Sequence, residues 1–424
     1  MDITIQPHPI GGTVQVPPSK SLSHRALICA ALADGESVLD HLLVSEDIVA
    51  TCDVLEAFGA KIEKLNEDGS KLKMIGCGRP SADHVTLDCH ESGSTVRFLM
   101  PLAALNAADV TLTGRGRLPK RPLEPYRPIF DASQINWQTA SDDALPLTLS
   151  GALKPGDYTM PGDVSSQFIS GLLFALPLLN GPSTLRITTV LESRPYVDLT
   201  LGVLKYYGIT IDVSEDGRFY AIPGGQHYKP ADFSVEGDFS QAAFWFAFGV
   251  NGKAMRCENL PKTSLQGDAA IIPLIRQMGG QIDWQDGAWV AKPSARHGID
   301  MDVSQCPDLM PILAVLAATA EGQSRILGAG RLRLKESDRL SAMADLLTRL
   351  GVRVEEAPDG MTIWGAGQLK GGEIDAVNDH RIAMAAAAAS ECCSDPLTIH
   401  GAEAVRKSYP DFWQDFRQNG GQTA

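Results

Sequence analysis

One pattern recurs six times along these 424 residues: the end of an apolar helix, a short polar turn and a strand. The copies read ALADGESVLDHL, ALNAADVTLTG, LPLLNGPSTLRI, FGVNGKAMRCENL, ATAEGQSRILGAG and SECCSDPLTIHGA, with turns near residues 35, 108, 181, 252, 322 and 395. The period is about 72 residues throughout, and a fixed period of this kind means that the chain folds by repeating one unit. A second pattern follows most copies: LEAFGAKIEKL, IFDASQINWQT, LKYYGITIDV, IRQMGGQIDW and LLTRLGVRVEE. Each is a helix end, often with Gly just after it, followed by a strand of alternating polarity. A unit is thus expected to hold two helices and about four short strands, which makes the class α/β. The sixth copy lacks the second strand pattern and runs out in YPDFWQDFRQNGG. A strand displaced from the N-terminus would complete it.

Six units of this size imply two lobes of three units each. The division falls near Gly237, before the fourth unit. If the first strand closes the last unit, the chain crosses between lobes near Val16-Pro17 and near Glu236-Gly237. The expected lobes are then 1–17 with 237–424, and 18–236. Two crossings make a hinge, and a cleft between hinged lobes is the expected place for a site.

A net charge of -14 argues against nucleic acid or an anionic membrane as the main partner. It leaves room for a small anionic ligand, because a local basic cluster dominates its own surroundings. The start MDITIQPHPIGG lacks the basic-then-apolar pattern of a signal peptide. The apolar runs PILAVLAATA and AMAAAAAS are too short to span a bilayer. Eight scattered cysteines without a CxxC pair fit a reducing, cytoplasmic compartment.

The polar oddities collect at equivalent helix starts. First helices begin with Ser19-Lys20-Ser21-Leu22-Ser23-His24-Arg25, Glu91-Ser92-Gly93-Ser94-Thr95-Val96-Arg97, Asp163-Val164-Ser165-Ser166-Gln167, Asp238-Phe239-Ser240-Gln241, Cys306-Pro307-Asp308 and Asn378-Asp379-His380-Arg381. Second helices begin near Ser45-Glu46-Asp47, Lys120-Arg121-Pro122, Ser193-Arg194-Pro195-Tyr196, Lys262-Thr263-Ser264, Lys335-Glu336-Ser337 and Arg406-Lys407-Ser408. Ser165, Ser166, Ser240 and Asp379, taken singly, read as N-caps. Gly93 reads as a turn or close approach, and His380 alone as a structural histidine. The cations resist so plain a reading. Lys20, Arg25, Arg97, Arg121, Arg194, Lys335, Arg339, Arg381 and Lys407 all stand near helix starts, where the dipole disfavours positive charge. Nine in register imply helix ends that share an anionic ligand. The stretch RLRLKESDR ahead of the amphipathic LSAMADLLTRL is the sharpest instance, with Lys335 and Arg339 four apart.

No GxxxxGK[ST] loop, dinucleotide fingerprint, HExxH or Cys/His metal spacing is present, so no metal and no cofactor is expected. The motifs PSKSLSHRAL, SGSTVR, KRP, VSSQF, SRPYVDLTL, Pro307-Asp308, LKESDRL, NDHRIAMA and KSYPDF occur in that order. Together they resemble the EPSP synthases (3-phosphoshikimate 1-carboxyvinyltransferases) over the whole chain. The resemblance implies a two-lobed inside-out α/β barrel fold, three repeated units per lobe. It also implies transfer of enolpyruvyl from phosphoenolpyruvate to the 5-hydroxyl of shikimate 3-phosphate, without a metal, by a monomer. Carried over by motif, Lys20 touches both substrates. Ser21, Arg25, Ser165, Ser166, Ser193, Tyr196 and Lys335 hold shikimate 3-phosphate, and Gln167 lies between the ligands. Gly93, Arg121, Arg339, Arg381 and Lys407 meet phosphoenolpyruvate. Asp308 resembles the base that grips the shikimate hydroxyls, Glu336 the proton donor to the methylene carbon, and His380 its support.

That chemistry needs these types: many cations to join two anions, and carboxylates for both directions of proton transfer. Three positions depart from the family pattern. Pro18 replaces Gly, Glu91-Ser92 replace Asn-Ala or Asn-Ser, and Arg331 replaces Asn or an acid. With Gly93 retained, glyphosate is expected to compete with phosphoenolpyruvate. Three rivals are an enolpyruvyl transferase acting on UDP-N-acetylglucosamine, a non-catalytic anion-binding scaffold of the same fold, and an RNA-terminal phosphate cyclase. The first usually carries a Lys-Asn pair and a cysteine loop, which Ser19-Lys20-Ser21 and the Arg115–Arg121 stretch lack. The complete set of cations and both carboxylates argue against the second. The third needs a nucleic-acid footprint that this acidic chain lacks.

Overall fold

The computed structural model describes residues 1–424 except 82–83 and 106–108. The second unit's turn near residue 108 therefore lies outside the described residues. The chain forms two compact units, Ser19–Val235 and Met1–Pro18 with Glu236–Ala424.

Among the described residues six four-stranded sheets recur with one plan. In the second repeat, Val110–Thr113 pairs parallel with Val85–Asp88 on one side and antiparallel with Leu147–Ser150 on the other. Asn136–Thr139 then forms the far edge. The sixth sheet follows this plan with borrowed chain. Asp2–Gln6 pairs antiparallel with Leu397–His400 and takes the third position, and the two-residue strand Gln422–Thr423 takes the edge. The N-terminal strand thus completes the sixth repeat, while the second strand pattern missing from the sequence is present in its shortest form.

A regular repeat passes from its parallel edge strand straight into its first helix, as Asp300–Asp302 leads to Met310–Ala318. Two junctions break that rule. Gly12–Gln15 precedes helix Lys20–Leu32 but pairs parallel with Met255–Glu258 of the fourth repeat. Phe233–Ser234 precedes helix Phe239–Asn251 but pairs parallel with Glu36–Asp40 of the first. Each crossing segment closes one unit with its strand and opens the other with its helix. The segments touch where they cross: Pro18 bridges Gly237, and Asp238 N donates to Pro17 O at 2.9 Å.

The first helices fill the interior. Every residue of Met310–Ala318 and His380–Ser390 is buried, as is Leu22–Leu32 of the first repeat. Alanine runs such as AMAAAAAS favour helix and let helices approach closely. Strands carry alternating burial, as in Gln323–Leu327, so one face lies on the helices and the other meets water. Second helices are amphipathic. Arg339–Arg349 buries Leu340, Met343, Leu346 and Leu347, each contributing about 1.5–3 kcal/mol of hydrophobic stabilisation. The starts of these helices carry buried polar side chains, among them Arg25, Arg97, Ser166, Asp379 and Arg381, and there many of the candidate site residues stand.

Candidate active site

In the Ser19–Val235 unit, Ser19 caps helix Lys20–Leu32 by accepting from Leu22 N at 3.4 Å. That leaves Lys20 as the first helical residue. Its Nζ lies 2.8 Å from Asp47 Oδ2, a partner that comes from the second helix of the same repeat. Arg25 is buried and holds three acceptors: Ser21 O at 2.7 Å, Tyr196 O at 2.9 Å and Thr200 Oγ1 at 2.8 Å. Its guanidinium also lies over the Phe98 ring, 5.0 Å from the centroid. Ser193, between Arg25's partner Tyr196 and the preceding strand, has φ +53 and ψ 37, a left-handed conformation that costs a serine roughly 1–2 kcal/mol. Gln167 accepts from Arg97 Nη1 at 2.8 Å and donates to Ser94 Oγ at 2.9 Å. Ser165 caps its helix through Gln167 N, and Ser166 is buried beside it. Gly93 is bare for a reason: a Cβ there would come within 2.6 Å of Arg121 Nη1.

In the other unit the cations are interleaved with carboxylates. Asp308 Oδ1 meets Arg339 Nη1 at 2.9 Å, and its Oδ2 meets Arg381 Nη2 at 2.9 Å. Lys335 Nζ stands 3.8 Å from Asp308 Oδ1. Arg339, itself buried, also meets Glu336 Oε2 at 2.7 Å and Asp379 Oδ2 at 2.8 Å. Lys407 is buried and donates to Asn378 O at 3.0 Å. His380 is buried, its Nδ1 3.9 Å from Asp379 Oδ1. Burial alone would raise the Asp308 carboxyl, but Arg381, Lys335 and Arg339 outweigh it and hold Asp308 well below the usual carboxylate range. Burial pushes the Lys335 ammonium down to about 8 against the pull of Asp308.

The structure corrects where some cations stand relative to helices. Helix Arg339–Arg349 starts at Arg339 with Asp338 as its cap, so Lys335 and Glu336 lie ahead of it. The dipole cost expected for Lys335 at the start of this helix does not arise. Lys335 follows the 3-10 turn Gly330–Leu334, Arg121 follows Leu118–Lys120, and Lys407 closes Ala402–Lys407. At those C-terminal ends a cation is favoured rather than opposed. The dipole argument holds for Lys20, Arg381 and Arg339. Arg194 belongs to the surface, where it pairs with Asp198 at 3.6 Å one helical turn on.

Three carboxylates escaped the sequence reading of the site. Asp47 was one of three polar residues at a helix start, and its own neighbours do not mark it as Lys20's partner. Asp379 does cap Arg381 N, at 3.0 Å, as its position suggests. It also accepts from Arg339 Nε and from Ser337 Oγ at 2.9 Å, which joins the Glu336 loop to the His380 helix. Asp268 is buried and accepts from Ser240 Oγ. Burial and the neighbouring Asp308 raise its carboxyl, with Arg381 opposing. The repeat itself carried a signal for Asp47 and Asp268, since both open second helices about 27 residues after the side chain they bind.

Residues 5–416 match the family model described as EPSP synthase (3-phosphoshikimate 1-carboxyvinyltransferase). The chain belongs to the EPSP synthase family. The 3-phosphoshikimate 1-carboxyvinyltransferase of Clostridium kluyveri is 48% identical over 420 residues, covering 99% of this chain and 97% of that protein. That of Clostridioides difficile is 40% identical over 430 residues, with 99% and 97% covered. The EPSP synthase structure from Acinetobacter baumannii superposes with a TM-score of 0.82 at 28% identity, covering 100% of this chain and 99% of that one. The enolpyruvyl transferase NikO from Streptomyces tendae, at 17% identity and a TM-score of 0.80 over 100% and 98%, shares the fold. The fold is therefore the family's two-lobed inside-out α/β barrel, with six repeated units. Among the described residues no helix is long and apolar enough to cross a membrane.

Proposed function

We propose that this EPSP synthase transfers the enolpyruvyl group of phosphoenolpyruvate to the 5-hydroxyl of shikimate 3-phosphate, and that the side chains of both units serve that one reaction. The products are 5-enolpyruvylshikimate 3-phosphate and phosphate. Family membership supports the reaction. The placement of Asp308 between Arg339 and Arg381, with Glu336 on Arg339, supports the division of roles.

Lys20, Ser21, Arg25, Ser165, Ser166, Ser193, Tyr196 and Lys335 bind shikimate 3-phosphate. Gly93, Arg121, Arg339, Arg381 and Lys407 receive phosphoenolpyruvate, and Lys20 and Gln167 reach both. Without substrate, the arginines are occupied by Asp308, Glu336 and Asp379. An anionic ligand that takes over Arg339 and Arg381 releases the carboxylates from them and favours proton uptake. Glu336 then protonates the methylene carbon, the adjacent carbon becomes electrophilic, and the 5-hydroxyl attacks it as Asp308 accepts the hydroxyl proton. The tetrahedral adduct collapses in reverse sense. A methyl proton returns to Glu336, the C–O bond to phosphate breaks, and the proton on Asp308 leaves with phosphate. His380, beside Asp379, supports the Glu336 loop.

The bare Gly93 facing Arg121 supports competition by glyphosate for the phosphoenolpyruvate position. We further propose a monomer working in the cytoplasm. Release of phosphate from phosphoenolpyruvate, measured with and without shikimate 3-phosphate, tests the reaction, and no stimulation would overturn it. Insensitivity to millimolar glyphosate would refute the competition.

A further inference from the structure

Four cations crowd the loop Gly114–Arg121, at Arg115, Arg117, Lys120 and Arg121. Like charges this close repel, and nothing in the loop's own sequence offsets them. The loop is fastened to the turn His90–Gly93, which opens helix Gly93–Ala103, at three successive points. Arg115 N donates to His90 O at 2.8 Å. Gly116, with φ +62, faces Glu91: a Cβ built on it would lie 2.6 Å from Glu91 Cδ and 2.7 and 2.8 Å from the two carboxylate oxygens. Arg121 faces Gly93 in the same way, within 2.6 Å of where a Cβ would stand. Glu91 is the one acidic residue of this turn.

We propose that Glu91 is a positioning residue for the phosphoenolpyruvate side of the site. Its carboxylate lies against the Gly116 backbone of the loop that carries these four cations, offsets their repulsion, and so holds Arg121 against Gly93. Glu91 acts through Arg121 and does not touch substrate. The inference rests on the reading that Arg121 receives phosphoenolpyruvate.

Steady-state kinetics of Glu91→Ala, Glu91→Gln and Gly116→Ala tests it, with Arg121→Ala alongside and thermal melts for each. Glu91→Ala is expected to raise KM for phosphoenolpyruvate about tenfold, the loss of one charge-assisted contact, with kcat and KM for shikimate 3-phosphate within about twofold. Glu91→Gln keeps the reach and loses the charge, so it falls between. A methyl group on Gly116 would displace the carboxylate, so Glu91→Ala with Gly116→Ala is no worse than the weaker single variant. If Arg121→Ala raises KM for phosphoenolpyruvate and Glu91→Ala does not, Glu91 has no positioning role. An equal loss across kcat, both KM values and the melt marks a merely structural role and also overturns the proposal. If Arg121→Ala leaves KM for phosphoenolpyruvate unchanged, the reading of Arg121 fails first, and the proposal with it.

Discussion

Two buried arginines, one in each unit, are answered differently. In Ser19–Val235, Arg25 is held by two backbone carbonyls and a hydroxyl, and Arg97 by the Gln167 amide. In the other unit Arg339 alone meets Asp308, Glu336 and Asp379. Neutral acceptors orient a cation without cancelling it, so its charge stays available to a phosphate. Carboxylates cancel it until a stronger anion arrives, and they can carry protons. The first arrangement suits holding a phosphoester. The second suits proton transfer that begins when substrate displaces the internal partners.

Loss of the proton-carrying groups should break this contrast most severely. Glu336→Gln is expected to lower kcat about 10³-fold while both substrates still bind within a few-fold. Normal turnover would remove Glu336 from the acid role. Asp308→Asn should lower kcat comparably and weaken substrate binding as well, because Arg339 and Arg381 lose the group that aligns them.

On the binding side, Arg25→Ala removes three hydrogen bonds and the stack on Phe98. KM for shikimate 3-phosphate should rise about 10²-fold, with kcat little changed. A fall in kcat with unchanged KM would place Arg25 with the chemistry instead.

A carboxylate with no ion pair among the described residues sharpens the rule further. Glu391 accepts from Ile10 N at 2.5 Å, and its Oε2 has no partner among the described residues. Burial pushes its carboxyl up from 4.5 to about 8, with the Ile10 amide and Arg296 opposing. Between those values the folded chain keeps a proton that the unfolded chain has released. Stability from this group is therefore complete below about pH 4.5 and falls as pH rises toward 8. Glu391→Gln should flatten that fall, by up to roughly 4 kcal/mol at pH 8, in denaturant titrations at several pH values. An unchanged slope would mean that Glu391 is ionised throughout.

The smallest effect is expected at Gly93. The Gly93→Ala methyl group must push the Arg121 guanidinium aside, which costs KM for phosphoenolpyruvate about tenfold and leaves KM for shikimate 3-phosphate alone. If both constants move together, Gly93 serves the helix start rather than Arg121.

The chain's own residues determined the repeat, its period and the clustering of cations at unit junctions, because helix ends, turns and alternating strands are local and each leaves a pattern where it occurs. The place of Asp2–Gln6 in the sixth sheet was legible for the same reason: one repeat was visibly incomplete. Folding in three dimensions decided the rest. Lys335, Arg121 and Lys407 look like cations at helix starts, yet the first two follow a 3-10 turn and Lys407 closes one, since one residue of slip in a short turn is set by packing rather than propensity. Asp379 read as a cap and is one, and only the fold brings Arg339, 40 positions away, onto its other lone pairs. Partner choice between side chains so far apart is a property of how buried helices align, and no local pattern records it.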